Sequence, residues 1–237
     1  DIGLTFERFD ESEALKEDIE QRKFKIHLNQ DNRDNPLDPR TGYVIIAQID
    51  AYGGPLGGNR TYVKYNLDIR NYFTIFDIFT FAGRVKSGII TGWLSDYDQY
   101  ESILFEKFYL GGSKTLRAIK PLRLLTNKTD GLDNDNDGLV DFEDDDESND
   151  IPSGNIAMLL SNFEIRFPLP SRFGGVIFID GGNISTDLNT LKPTDLIWNY
   201  GVALTFNLPF GPIRIDYAQD SKNQKINQVQ LGFLYAF

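Results

Sequence analysis

One segment of the chain carries acidic residues at the spacing of a calcium-binding loop. The run begins at Asp133, and its first, third, fifth, ninth and twelfth positions are acidic: Asp133, Asp135, Asp137, Asp141 and Asp144. Its sixth position is Gly138, which permits the sharp turn that such loops need. Position twelve is aspartate instead of the usual glutamate, which weakens bidentate closure around the ion. The spacing predicts a weak Ca²⁺ site, and the alternative interpretation is a disordered acidic tract.

Other residues with reactive groups do not assemble into a catalytic pattern. The chain has no cysteine, and its single histidine, His27, lies on the polar face of a predicted strand. The segment 112–115 (Gly-Ser-Lys-Thr) is similar to the end of a phosphate-binding loop but lacks the upstream glycine spacing. Glu164 and Asp180 match a glycosidase pair by residue type alone, and pairing with an arginine explains them better. With no nucleophile–base pair in the sequence, we expect no enzymatic activity and no required cofactor.

The acidity of the chain belongs to one insert. The net charge is −11, and the segment 129–150 holds eleven acidic residues and no basic ones. The charges of the remaining residues therefore balance, and the acidity of the insert says nothing about their partners. We expect no nucleic-acid partner. The chain opens on Asp1 without a basic or apolar leader, which indicates part of a mature, processed protein.

Period-two alternation of apolar and polar residues is the dominant pattern along the chain. It predicts ten strands, at about 1–8, 21–30, 42–52, 61–73, 80–94, 155–167, 173–183, 198–208, 211–219 and 226–237. Tight turns alternate with longer loops rich in Gly, Asp and Asn. Short turns at one rim and long loops at the other are typical of outer-membrane barrels.

Alternation alone does not decide which face of the sheet is wet. A soluble barrel, apolar inside and polar outside, has the same pattern along each strand. Charges of both signs share the polar face, which suits a hydrated lumen but also a solvated exterior. The end of the chain favours the membrane. It carries polar Gln230, then Gly232, Phe233, Tyr235 and a final Phe237, the closing-strand pattern of outer-membrane barrels, with alternate residues predicted on one membrane-facing side.

Four stretches, in order, resemble the BamA-type superfamily of outer-membrane insertases, which includes TamA-like and two-partner-secretion transporters. They are similar to that family's inward-folded loop, the two strands after it and its penultimate hairpin, and they lie at 108–117, 163–169, 176–183 and 209–218. The resemblance covers about residues 38–237. It implies an all-β transmembrane antiparallel barrel, with about ten of sixteen strands in this chain, and periplasmic POTRA domains elsewhere.

The resemblance also implies an organisation and a site. Strands would occupy 1–94 and 155–237, and 95–154 would form an extracellular loop that folds into the lumen. The loop motif would comprise Gly111, Gly112 and Leu116. Arg117 would reach Glu164 and Asp180 on the two following strands and pin the loop. The family motif continues Arg-Gly-aromatic, whereas Ala118 and Ile119 follow here, so a different turn is expected.

These features predict an integral protein of the Gram-negative outer membrane and leave several functions open. The first is an insertase that templates client strands at the seam between its first and last strands. Its partners would be outer-membrane lipid and lipopolysaccharide, unfolded barrel clients, POTRA domains and accessory lipoproteins. The second is a TamA-like or two-partner-secretion transporter. A passive porin or structural barrel is the alternative from another class.

Overall fold

The chain forms one antiparallel sheet of ten strands connected in sequence order. The computed structural model describes residues 2–11, 19–58, 61–92, 106–121, 155–185, 191–222 and 227–237. The strands are β1 (Ile2–Glu11), β2 (Ile19–Asp31), β3 (Gly42–Tyr52), β4 (Tyr62–Ile75), β5 (Phe79–Thr91), β6 (Ala157–Pro168), β7 (Phe173–Ser185), β8 (Ile197–Leu208), β9 (Gly211–Asp220) and β10 (Asn227–Phe233). Each pairs with its sequence neighbours, and β1 and β10 are the two edges of an open sheet. The predicted all-β architecture is confirmed.

The connections divide the sheet into two rims. The β4–β5, β6–β7 and β8–β9 turns are short and share one rim with the longer β2–β3 loop and the end of β10. The other five connections join strand ends at the opposite rim. Within the described residues, no helix has the length and apolar character needed to cross a membrane.

The apolar rows face outward and the ionic rows face inward. Phe163, Leu204 and Phe233 are 50%, 47% and 50% exposed. Cross-strand pairs such as Ile177 and Val202 make the outer face continuous. The inward positions of β6 to β9 bury Arg and Asp side chains almost completely. The sheet therefore has the apolar-out, polar-in arrangement of a transmembrane barrel, and not that of a soluble barrel.

Two chain segments fill the concave side of the sheet. Residues of the β5–β6 loop bring Leu110 and Leu116 against Ile90 and Leu160. The residues after β10 pack against β3, β4 and β5, where Phe237 joins Val44, Tyr72 and Ala82. Because the apolar face of the sheet points outward, the small apolar clusters on its inner side form where these two segments pack against the wall.

The prediction that the last strand runs to Phe237 is wrong for its final four residues. β10 ends at Phe233, and Leu234 adopts a φ of 65°, which turns the tail inward. Tyr235 and Phe237 consequently leave the outward row that Leu231 and Phe233 occupy. We define residues 234–237 as the C-terminal tail.

Contacts inside the sheet explain the turn of the C-terminal tail. The guanidinium of Arg166 lies 3.8 Å from the ring centroid of Tyr235, within the range of a cation–π interaction. Its Nη2 donates to the backbone oxygen of Phe237 at 3.3 Å. Gly211 permits the bend, because a Cβ there would lie 2.2 Å from Cδ2 of Leu234. The C-terminal tail thus does not continue the strand, and its residues are instead buried in contact with Arg166.

Candidate functional site

A tight turn in the β5–β6 loop presents the predicted loop motif to the inner wall. Gly111 and Gly112 have φ values of 113° and 97°, in the left-handed region that favours glycine. The amide of Gly112 donates to the carbonyl of Ile119 at 2.9 Å, and the amide of Gly111 donates to Oγ1 of Thr115 at 2.9 Å. Phe108 exchanges two backbone hydrogen bonds with Asn155, two residues before β6, at 2.7 and 2.9 Å. The loop therefore enters the sheet as a hydrogen-bonded unit.

Leucines on both sides of this turn wedge the loop into place. Leu110 and Leu116 are fully buried. Beneath them lies Gly182 of β7, where a Cβ would be 3.0 Å from Cδ1 of Leu110 and 3.2 Å from Cδ2 of Leu116. The wall is thus recessed where the leucines dock. The sequence analysis did not identify this function of Gly182. Gly182 lies two residues after Asp180 on the same strand, so both residues face the same side, and this position was predictable.

The structure brings Arg117 together with both carboxylates that the resemblance named. Its Nε and Nη2 donate to Oδ2 and Oδ1 of Asp180 at 2.8 and 2.7 Å. Its Nη1 donates to Oε1 of Glu164 at 2.6 Å. All three side chains have an exposure of 0%. Such bidentate, charge-assisted bonds are both strong and directional.

The surroundings of Arg117 keep it charged. Burial opposes the charge, but the carboxylates of Asp180 and Glu164 outweigh it and raise the pKa of Arg117 above its usual value. The guanidinium carbon also lies 3.4 Å from the ring centroid of Phe178. Arg117 therefore stays positively charged, as its bonds to Asp180 and Glu164 require.

Further side chains on the inner wall complete the cluster. Arg166 Nε donates to Oε2 of Glu164 at 2.8 Å, and Arg214 Nε donates to Oδ2 of Asp216 at 2.8 Å. Asn162 donates through Nδ2 to both Oδ1 of Asp180 and the carbonyl of Thr115, at 2.8 Å each. Three arginines thus meet three carboxylates, which balances the buried charge. We call Arg117, Glu164, Asp180, Arg166, Arg214 and Asp216 the lumen ion cluster.

The closing strand is fastened to the same loop. Gln230 of β10 donates through Nε2 to the carbonyl of Arg117 at 2.7 Å and to that of Ile119 at 3.3 Å. Arg214 Nη2 of β9 donates to the carbonyl of Ser113 at 2.9 Å. Gly232 lies beside that guanidinium, since a Cβ there would be 3.2 Å from Nη2 of Arg214. Gln230 and Gly232 therefore face the loop, while Phe233 faces outward.

The departure at Ala118 is accommodated without strain. In the described part of the chain, positive φ outside glycine occurs only at Phe76, Asp77, Ser171 and Leu234, so Ala118 needs no left-handed backbone. Its methyl group is fully buried with Val176 and Phe178. The residue after Arg117 thus adds a packing contact.

The predicted calcium loop, Asp133 to Asp144, lies outside the described residues. Among those that are described, no group of three or more His, Cys, Asp or Glu side chains is placed to hold a metal ion. The Ca²⁺ site therefore stays a prediction from spacing alone.

Limited proteolysis tests the calcium prediction directly. Saturating Ca²⁺ should protect the segment 128–150 from cleavage, because a bound ion would cross-link its carboxylates. Mg²⁺ at the same concentration is the control and should protect less, since it prefers octahedral geometry with retained waters. The Asp133→Asn, Asp137→Asn double variant should lose the protection. Cleavage that is unchanged by Ca²⁺ would leave the acidic-tract interpretation.

Comparisons with known proteins agree with this geometry. A sequence model described as the Omp85 superfamily domain matches residues 5–237. The outer membrane protein assembly factor BamA of Nitratidesulfovibrio vulgaris is 24% identical over 93 residues, which cover 39% of this chain and 11% of that protein. The crystal structure of BamA from Haemophilus ducreyi lacking POTRA domains 1–3 matches with a TM-score of 0.66 at 14% identity, covering 92% of this chain and 42% of that one.

These matches differ in what they establish. At 14% identity, the structural likeness shows the fold, and the chain spans less than half the length of either relative. The superfamily match, in contrast, extends over nearly all residues and includes the loop, the lumen ion cluster and the closing strand. This chain belongs to the Omp85 superfamily.

Proposed function

We propose that this chain is the barrel part of an insertase that assembles β-barrel proteins in the outer membrane of a Gram-negative bacterium. Its outward apolar face would contact outer-membrane lipid and lipopolysaccharide. Unfolded barrel proteins would be its clients, and POTRA domains and accessory lipoproteins would deliver them from the periplasm. No reaction is required, because client strands gain free energy when their hydrogen bonds close within lipid.

The short closing strand is the observation that carries this proposal. β10 pairs with β9 over Asn227–Phe233 only, and the C-terminal tail turns into the lumen. Among the described strands β10 has no second neighbour, so its outer backbone edge is unpaired. An edge strand with unpaired backbone groups is a template for an incoming strand. β10 would form one side of the seam at which clients are templated.

The interior favours a polypeptide-handling barrel over a passive porin. The loop segment 106–121 and the C-terminal tail both occupy the concave side of the sheet. The lumen ion cluster binds the loop to the wall through buried ion pairs. An open aqueous channel would require both segments to move aside. A two-partner-secretion transporter of the same superfamily is the second candidate, because the polar inner wall suits a chain in transit.

Site-specific crosslinking distinguishes these functions. The chain has no cysteine, so single-cysteine variants carry one photocrosslinker each. We expect Leu231→Cys on β10, which is 73% exposed, to capture nascent barrel proteins. Leu204→Cys on the interior strand β8 is the matched control and should capture few, because both of its backbone edges are paired.

Other outcomes would point away from an insertase. Equal capture at positions 231 and 204 would argue against templating at β10. Conductance that rises only when the loop segment 106–121 is deleted, without client capture, would favour a secretion transporter. Conductance of the intact protein would favour a porin.

A further inference from the structure

A groove on the outer face of the sheet lies across β3, β4, β5 and β6, away from the closing strand. It has a volume of about 410 Å³, within the range of about 300–1,000 Å³ that ligand pockets span. The two leucines of one cross-strand row project further than the serine between them, so the surface is recessed at β5. That row forms the floor and alternates small and large side chains: Ala47, Leu67, Ser87 and Leu159. We call this space the outer groove.

The β7–β8 loop forms a wall of the outer groove. Asn183 follows Leu159 in the same cross-strand row, so its side chain shares the outward face. Its Nδ2 donates to the carbonyl of Asp195 at 2.9 Å, which holds the loop over that face. Leu191 and Pro193 of the loop line the groove. The sheet and the loop together thus form a concave site.

The lining of the outer groove is largely hydrocarbon. Tyr65 and Ile89 extend the floor toward the long-loop rim, and Ile49 lies beside Tyr65 in the sheet register. Within the described part of the chain, no charged residue lines the groove. Gln48 and Asn66 border it from strand positions whose side chains have inward parity. Burial of hydrocarbon is therefore the main source of binding free energy here, and it selects an apolar ligand.

The shape and the backbone pairing of the outer groove favour a lipid chain over a polypeptide. β3, β4, β5 and β6 each have a hydrogen-bonded neighbour on both sides, so an added strand would find no free edge. Its own backbone groups would be left unsatisfied in hydrocarbon. The recess over Ser87 lies between strands about 9.5 Å apart, which is too narrow for an α-helix of about 10–12 Å diameter. An unbranched acyl chain fits the recess and has no backbone groups to satisfy.

The outer groove lies in the half of the sheet nearer the long-loop rim. Ala47 precedes the end of β3 at Tyr52 by five residues, and Ser87 precedes the end of β5 at Thr91 by four. At about 3.3 Å per residue, both lie within about 17 Å of that rim, and strand tilt shortens the depth further. In the orientation of the proposed function, this half faces the outer leaflet, where lipopolysaccharide lies.

We propose that the outer groove holds one acyl chain of lipopolysaccharide, seated over Ser87 and bordered by Leu191 and Pro193 of the β7–β8 loop. The choice of an acyl chain follows from the groove itself. The choice of lipopolysaccharide rests on the proposed function, which sets the orientation of the barrel in the outer membrane. Three strands separate the groove from β10, so the lipid and a client would occupy different surfaces.

Native mass spectrometry of the full-length protein, extracted from outer membranes in mild detergent, tests the proposal by identifying the lipid that stays bound. We expect one lipopolysaccharide molecule. Ser87→Phe should lower its retention about tenfold, because the ring displaces about two buried methylenes of the chain. Ser161→Phe is the matched control and should have no effect, since Ser161 lies on the outer face of β6 in the next cross-strand row, outside the groove.

Further arms identify which part of the lipid is bound. After lipid is removed, intact lipopolysaccharide should bind again, whereas deacylated lipopolysaccharide, which keeps its sugars and phosphates, should not. Ala47→Phe, a second variant that fills the groove, should repeat the effect of Ser87→Phe. Ser87→Ala should keep normal retention. Far-UV circular dichroism checks that each variant is folded.

Several results would overturn the proposal. It fails if Ser87→Phe and Ser161→Phe retain the lipid equally, or if deacylated lipopolysaccharide binds as well as the intact molecule. It also fails if the bound lipid is phosphatidylethanolamine, which would remove the assignment to the outer leaflet. Equal retention by the two phenylalanine variants with normal client capture at position 231 would refute the groove alone. Loss of lipid in Ser87→Phe but not in Ser161→Phe, without client capture at position 231, would refute the insertase alone.

Discussion

Replacing Arg117 with methionine should lower the free energy of unfolding by about 3–5 kcal/mol, since it leaves buried carboxylates unpaired. Asp180 would lose both of its guanidinium bonds, and Glu164 would lose its shortest one. Methionine retains most of the side-chain volume, so the effect reports on charge more than on packing. Urea unfolding in detergent–lipid micelles, followed by tryptophan fluorescence, measures the change.

Arg33→Met is the matched control for this variant. Arg33 forms an ion pair of similar length with Asp31, but side-chain exposures of 15% and 35% place that pair in contact with solvent. Its loss should cost about 1 kcal/mol or less. Adding Asp180→Asn to Arg117→Met should restore part of the lost stability, because it removes the carboxylate left unpaired. Equal costs for the two single variants would show that the lumen ion cluster does not stabilise the barrel.

Introducing arginine at Val202 should destabilise the protein in phospholipid vesicles by about 2–4 kcal/mol, the cost of a cation near the middle of the bilayer. Val202 lies in the centre of β8, is 54% exposed, and pairs with Ile177 and Tyr217 on the outer face. Unfolding by urea in vesicles of fixed lipid composition measures the cost.

Phe210→Arg provides the comparison at the rim. Phe210 is 59% exposed in the turn between β8 and β9, so arginine there should cost about 0–1 kcal/mol, as expected near the interface. Leucine at position 202 controls for the change in side-chain shape. If Val202→Arg lowered the free energy of unfolding as little as Phe210→Arg does, the outer face would not be in hydrocarbon, and the membrane orientation would be wrong.

The position of the lumen ion cluster illustrates what could be predicted. Parity along β6 and β7 placed Glu164 and Asp180 on the polar face, and the resemblance named Arg117 as their partner. The structure shows all three in contact. Parity does not say which inward residues on different strands meet, because that depends on register and on the path of the loop. Arg166, Arg214 and Asp216 also fall on the polar faces of their strands, but their parity does not show that they meet in one cluster.

The C-terminal tail shows where local pattern misleads. Alternation continues through Phe237, and nothing within those residues distinguishes a strand from a segment that turns inward. The turn depends on Arg166 and Tyr72, which are distant in sequence and meet the tail only after the sheet has formed. Gly211 adds the space that Leu234 occupies. Non-local contacts thus outweighed local strand preference.

By itself, the sequence determined the number of strands, the alternation of apolar and polar residues along each strand, and the residues that share each face. It also determined that short turns lie at one rim and long loops at the other. These properties follow from side-chain period and turn composition, which are local. Only the tertiary structure decided which face is outward and how the loop and the C-terminal tail fill the lumen. Those properties depend on contacts between residues far apart in the chain, and side-chain period carries no information about such distances.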